Sequence, residues 1–539
     1  MSDWGKSALV AALRQPSAYP HRVSEVGFSQ THISLIFFAG DRVYKVKKPV
    51  DLGFLDYTTL EARRHFCEEE VRLNRQLAPG VYLGVVPITR ERDGSLRIGG
   101  DAMPVEYAVE MELLPHERMM DRLLDQGEID NETMRALAAL LARFHGEAAT
   151  GPGVDEYGTP AAVAHNVREN FEQTAGFAAR PGGEAPAGAR TLSPLLHAFL
   201  SRRADEFLAS NLDLLERRVA EGRIRDGHGD LHAGNICLTE QGLIVYDRIE
   251  FAARFRCGDV AADLAFVAMD LDFRGFRAFA SYLVRCYAEH AQDLDLEALM
   301  DFYKGYRAVV RAKVGSFAAI ENDLPAGERA GHRLDAMRHF HLAASYQLPL
   351  ALILTCGLPA SGKSFAAKAI AEPFEASVLR SDRERKRLAG LPPDRREPVE
   401  YAAGLYSPER TEKTYAALLD GAARTLRTGR TAVVDASFSS ERTRRPFEGL
   451  ARGLGAPFVL VELTAPEDTI RERLDRRARE SGNPSDADFG IYREMRDRYE
   501  PPNELADPNV ARVDARLPAE EITGMAIDRL VEVVDQRDL

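Results

Sequence analysis

The chain has 539 residues, 45% hydrophobic and 28% charged, enough to bury more than one core. No apolar run approaches the roughly 20 residues of a membrane span, and a net charge of −13 argues against a general binder of nucleic acid or anionic membranes. Five scattered cysteines (Cys67, Cys237, Cys257, Cys286, Cys356) show no metal-ligand spacing, and no basic region followed by an apolar core opens the chain, so reduced thiols in a cytoplasmic protein are expected.

Residues 1 to about 115 contain short β-rich runs at 33–38, 42–47 and 107–112, with a charged helix over 59–77 between them. From about 116 to 345 the apolar spacing of three to four residues predicts helices over 134–145, 195–220 and 296–317. The Gly-, Pro- and Ala-rich stretch 178–189 reads as a loop. Within this region lies His228-Gly-Asp-Leu-His-Ala-Gly-Asn235, followed by two apolar runs around Glu240-Gln-Gly242 and then Val245-Tyr-Asp247. The runs predict a hairpin that returns Asp247 beside Asp230 and Asn235. An Asp, an Asn and a second Asp at this spacing match phosphoryl-transfer chemistry of the protein-kinase type. There Asp230 accepts the proton of an attacking hydroxyl, and Asn235 and Asp247 hold Mg²⁺ on nucleotide phosphates.

A domain boundary is expected near 345–350, followed by alternating strands and helices to 539, the signature of a parallel sheet covered by helices. The apolar run 350–356, the loop Gly357-Leu-Pro-Ala-Ser361-Gly362-Lys363-Ser364 and the helix-like 365–371 give strand, glycine loop and helix in the order of an ATP phosphate cradle. Lys363 would reach the β- and γ-phosphates, and the Ser364 hydroxyl would ligate Mg²⁺. Runs at 432–435 and 457–463 read as further strands.

On these motifs, residues 1–345 resemble the aminoglycoside phosphotransferase family, with an α+β two-lobed protein-kinase-like fold (N-lobe 1–115, C-lobe 116–345). Residues 350–539 resemble small P-loop kinases, such as gluconate, zeta-toxin-type and polynucleotide 5′-kinases, with an α/β parallel sheet. The fused order resembles a bacterial family of bifunctional phosphotransferase and ATP-binding proteins.

The resemblance implies a strand lysine paired with a helix glutamate. Lys45 is the first choice over Lys47, which shares its face by alternation, and Glu70 is the partner. It implies that backbone near Met111 meets adenine, and that Asp259 or Asp263 buttresses the catalytic loop, Asp259 serving otherwise as a helix cap. No glycine-rich phosphate-covering loop precedes Ile33, and His-Gly-Asp replaces His-Arg-Asp; both departures favour a small-molecule kinase over a protein kinase. His228 and His232 are expected to stabilise the loop.

In the second half the resemblance implies Asp382 as base, Arg385 and Lys386 as substrate-binding groups, Asp435 as metal support, and a lid drawing on Arg471, Arg473, Arg476 and Arg477. Of these, Arg473 and Arg477 are the chosen nucleotide contacts. The expected function is an enzyme with two Mg²⁺-ATP kinase sites acting on small hydroxylated molecules. The alternatives are a polynucleotide 5′-kinase in the P-loop half, using Arg383–Arg387 and Arg442–Arg445, or a regulatory ATPase attached to one kinase.

Overall fold

The computed structural model describes residues 6–53, 55–178, 190–322, 324–392, 407–479 and 489–538. The chain packs as two compact units, one formed by residues 1–165 and 210–304, the other by 166–209 and 305–539. All of the expected loop over 178–189 except Ala178 lies outside the described residues. Among the described residues, no helix is long and apolar enough to cross a membrane.

The first unit begins with a six-stranded antiparallel sheet. Its strands are β1 (Val26–Gln30), β2 (Ser34–Ala39), β3 (Arg42–Lys47), β4 (Tyr82–Arg90), β5 (Leu96–Ile98) and β6 (Pro104–Glu112), in the order β1-β2-β3-β6-β4-β5. The two-residue period of β3 sends Tyr44 and Val46 into one core with Leu35, Phe37 and Ala108. It sends Val43 into a second core with Cys67 and Val71 of the Leu60–Asn74 helix. Lys45 and Lys47 therefore face that helix. Thr59 caps it by accepting from Ala62 N, and Asn74 ends it by donating to Glu70 O and accepting from Arg248 N. The helix is thus shorter at its C-terminus than the expected 59–77.

Strand β4 escapes sequence reading because Gly84 and Pro87 interrupt its apolar pattern. Pro87 is tolerated because β5 pairs only with Ile88–Arg90. The expected helix over 195–220 is two, Pro194–Ser210 and Leu212–Ala220, since Asn211 between them leaves helical geometry at φ −120° and ψ 24°.

Further along the first unit, β7 (Ile224–Asp226) pairs antiparallel with β10 (Cys257–Asp259), and β8 (Ile236–Thr239) forms a hairpin with β9 (Gly242–Val245). The hairpin turns at Gly242, whose φ of +121° suits glycine.

The second unit holds a five-stranded parallel sheet of β11 (Leu352–Cys356), β12 (Ser377–Arg380), β13 (Ala432–Asp435), β14 (Phe458–Thr464) and β15 (Val510–Asp514), ordered β12-β13-β11-β14-β15. Alternation buries Ile353, Val433 and Val461 against the Lys363–Ala371 and Ala519–Asp538 helices. Leu354, Val434 and Leu460 face the other way, against Leu418 and Phe447. Such double burial produces the unbroken apolar runs seen in the sequence.

Residues before 350 join this unit. Arg333 of the Ala326–Gln347 helix pairs with Glu521 at 3.1 Å, and Ser193 Oγ donates to Asp528 Oδ1 at 2.5 Å.

Candidate active sites

In the first unit the hairpin does what its spacing requires. Its paired base brings Tyr246 N to Asn235 O at 3.1 Å, so Asp247 emerges beside the loop that carries Asp230. Asn235 Nδ2 donates to Asp230 O at 3.0 Å, which leaves Oδ1 as its ligating atom. Asp247 adopts φ +64° and donates its N–H to Tyr82 OH. This left-handed turn of a non-glycine residue is held by its surroundings and aims the carboxylate at β3.

Lys45 Nζ meets that carboxylate at 2.6 Å and Glu70 Oε1 at 2.8 Å. Lys47 Nζ meets Glu70 Oε2 at 2.8 Å and also Glu250, which accepts from Tyr57 OH at 2.6 Å. Burial opposes the charges of Lys45, Glu70 and Asp247, but the opposite charges win. Asp247 and Glu70 hold the Lys45 ammonium well above its usual range, and Lys45 holds the Asp247 and Glu70 carboxyls below theirs.

Asp263 accepts from the backbone N–H groups of His228 and Gly229 and thereby fixes the loop bearing Asp230. Asp259 caps the Val260–Phe273 helix through Ala261 N and pairs with buried Arg218. The two roles left open between these aspartates are thus divided. His228 bonds Tyr246 O through Nε2 and receives Asp230 N on Nδ1, and burial lowers its pKa. His232 Nδ1 accepts from Gly234 N. Both histidines act within the loop.

The glycine of His-Gly-Asp has a steric cause. Gly229 has φ +88°, and a Cβ there would stand 2.7 Å from Phe255 O. Met111, 8% exposed, packs with Val43 and Tyr82 in the same core as Leu114, Ile244 and Tyr246.

In the second unit Gly357, at φ +139°, leads out of β11, and a Cβ there would stand 2.6 Å from Leu463 O and 2.8 Å from Ser361 Oγ. Gly362, at φ +93°, caps the Lys363–Ala371 helix. Ser361 Oγ is buried and has no hydrogen-bond partner among the described residues, and Lys363 Nζ donates to Leu358 O at 2.7 Å. An unsatisfied hydroxyl in a tight loop at a helix N-terminus fits a phosphate.

Ser364 Oγ donates to Asp435 Oδ2 at 2.6 Å, because parallel pairing sets Thr355 of β11 level with Asp435 of β13. A hydroxyl and a carboxylate together form an oxygen donor set that fits Mg²⁺.

Asp382 stands in the first turn of the Ser381–Leu388 helix, 3.3 Å from Arg385 Nη1. Arg385 and Lys386 are both buried. Arg473 reaches over the phosphate loop, donating to Ala360 O at 3.3 Å and Ala515 O at 2.8 Å. Arg471 instead stacks on Phe489, and the Arg477 side chain lies outside the described residues. Arg444, one of the basic residues considered for a nucleic-acid channel, is fully buried against Glu504.

Sequence reading did not single out Lys47 with Glu250, or Arg380, which touches both Ser364 and Asp435. Position on the strand face marked Lys47. Nothing local marks Glu250 or Arg380.

Residues 352–502 match the family model described as an AAA domain. Among solved structures, a gluconokinase from Sinorhizobium meliloti 1021 is 20% identical, with 35% of this chain and 97% of that one covered at a TM-score of 0.26. The amicoumacin kinase hAmiN is 15% identical, covering 62% and 93% at 0.36. The Mycobacterium tuberculosis protein Rv2004c is 31% identical over 500 residues, 92% of this chain and 94% of that protein. Mb2027c of Mycobacterium bovis matches equally. With that identity running through both units, the chain belongs to the family of Rv2004c.

Proposed function

We propose that the chain is a two-site, ATP-dependent phosphotransferase that acts on hydroxyl groups of small molecules, one site in residues 1–345 and one in 350–539. The observation that carries this reading is the convergence of Lys45, Glu70 and Asp247 with the Asp230–Asn235 loop in one unit. The Ser364–Asp435 contact beneath the glycine loop supports a second site in the other.

In the first site Lys45 would hold nucleotide phosphates, with Glu70 setting its position, and Asn235 Oδ1 and Asp247 would hold Mg²⁺. Asp230 would orient the acceptor hydroxyl and take its proton as the new O–P bond forms and the bond to the ADP oxygen breaks. In the second site backbone from Gly357 to Lys363 would cradle phosphates. Ser364 and Asp435 would hold the cation, and Asp382 would take the proton once released from Arg385. Bound Mg²⁺ supplies charge neutralisation on the phosphates, and Arg473 would add to it. The burial of Arg444 favours a small acceptor over a polynucleotide.

The test is phosphate transfer from γ-labelled ATP to a panel of sugars, aminoglycosides, nucleosides and 5′-hydroxyl oligonucleotides. Asp230→Asn should abolish one set of labelled products and Lys363→Ala a different set. ATP hydrolysis with no labelled acceptor would count against the two-kinase reading and for a regulatory ATPase.

A further inference from the structure

Strand β12 ends at Arg380, just before the helix that carries Asp382. The Arg380 guanidinium touches two residues from other elements. Nη2 donates to Ser364 Oγ at 3.2 Å, and Nε donates to Asp435 Oδ2 at 3.3 Å. Ser364 Oγ donates to that same Oδ2, and Thr355 Oγ1 lies 3.4 Å from Oδ1. Asp435 is only 5% exposed, so little water shares its charge, and Arg380 is its ion-pair partner.

A divalent cation takes oxygen ligands, and the two oxygens it would need here are the two that Arg380 engages. A guanidinium has donors only and cannot join the coordination shell. Two positive groups so close on one buried carboxylate also repel strongly.

We infer that Arg380 and a divalent cation exclude one another at Ser364 and Asp435. Arg380 is the counter-charge of Asp435, and a cation bound at Ser364 and Asp435 would take its place, leaving the guanidinium free at the start of the helix bearing Asp382. That planar fork of donors matches phosphoryl oxygens. It becomes available only after the cation has arrived, so nucleotide without metal leaves the site unarmed. On this account Arg380 controls access to the cation site and, once displaced, is free to bind phosphate, and the inference rests on the P-loop half binding a Mg²⁺-nucleotide.

The experiment is binding of a fluorescent ATP analogue to the full chain, titrated with Mg²⁺. The P-loop component is the part of the signal removed by Lys363→Ala. Arg380→Gln should lower the Mg²⁺ concentration for half-maximal P-loop binding about tenfold, because a charge-assisted competitor has gone. Arg380→Lys keeps the charge and should stay within about threefold of the wild type. A midpoint unchanged or raised in Arg380→Gln overturns the inference and leaves the P-loop reading standing. Absence of any component sensitive to Lys363→Ala overturns both.

Discussion

Lys45 and Lys47 stand two residues apart on β3 and share the carboxylate of Glu70, yet only Lys45 reaches Asp247. Lys47 is fully buried between Glu70 and Glu250. Lys47→Met would leave buried Glu250 without its ammonium and Glu70 with Lys45 alone, and should lower stability by about 3–5 kcal/mol in urea unfolding. Lys45→Met should cost less, about 1–2 kcal/mol, because its partner Asp247 is partly solvated, but it should abolish the labelling that depends on Asp230. Alternation along a strand made the lysine pair legible, and the family resemblance pointed to Glu70. Glu250 was not legible, since it lies 203 positions from Lys47 and only folding joins them.

At the scale of elements, the Ala519–Asp538 helix carries a half-buried acid and faces a buried base. Burial raises Asp528 to about 6, against the opposing effect of its hydrogen bond from Ser193. Burial lowers His341, on the Ala326–Gln347 helix beside Gly524, to about 3. Between 3.8 and about 6 folded Asp528 keeps a proton that the unfolded chain gives up, so its contribution to stability falls as pH rises. His341 acts oppositely: below 6.5 the unfolded chain takes a proton that the fold refuses, so stability falls as pH drops. The two slopes oppose one another between pH 4 and 6. Asp528→Asn should therefore raise stability at pH 7 by about 1–3 kcal/mol and steepen the loss on acidification, measured as urea midpoints across that range.

For the whole molecule, the contact-defined units do not follow chain order. Residues 166–209 and 305–349, which precede the glycine loop, pack with it. The Ala326–Gln347 helix lies along the final helix, and Leu348 packs against its core. A fragment of residues 350–539 should therefore expose apolar surface and bind more anilinonaphthalene sulfonate per mole than the full chain. Equal dye binding would show that the preceding helices add little cover.

The sequence by itself determined two local constellations. The loop from His228 to Asn235 with its hairpin to Asp247, and the glycine loop with Lys363 and Ser364, are local constellations whose spacing dictates their geometry. Both were brought together by short-range turns and adjacent strands. Only the tertiary structure decided which distant charges join their surroundings: Glu250 on Lys47, Asp263 under the loop bearing Asp230, Arg380 on Asp435. It also decided which unit each amphipathic helix joins. The reason is physical. Periodicity records that a helix has a face to bury, whereas the partner of that face, or of a buried charge, is chosen by packing among elements far apart in the chain.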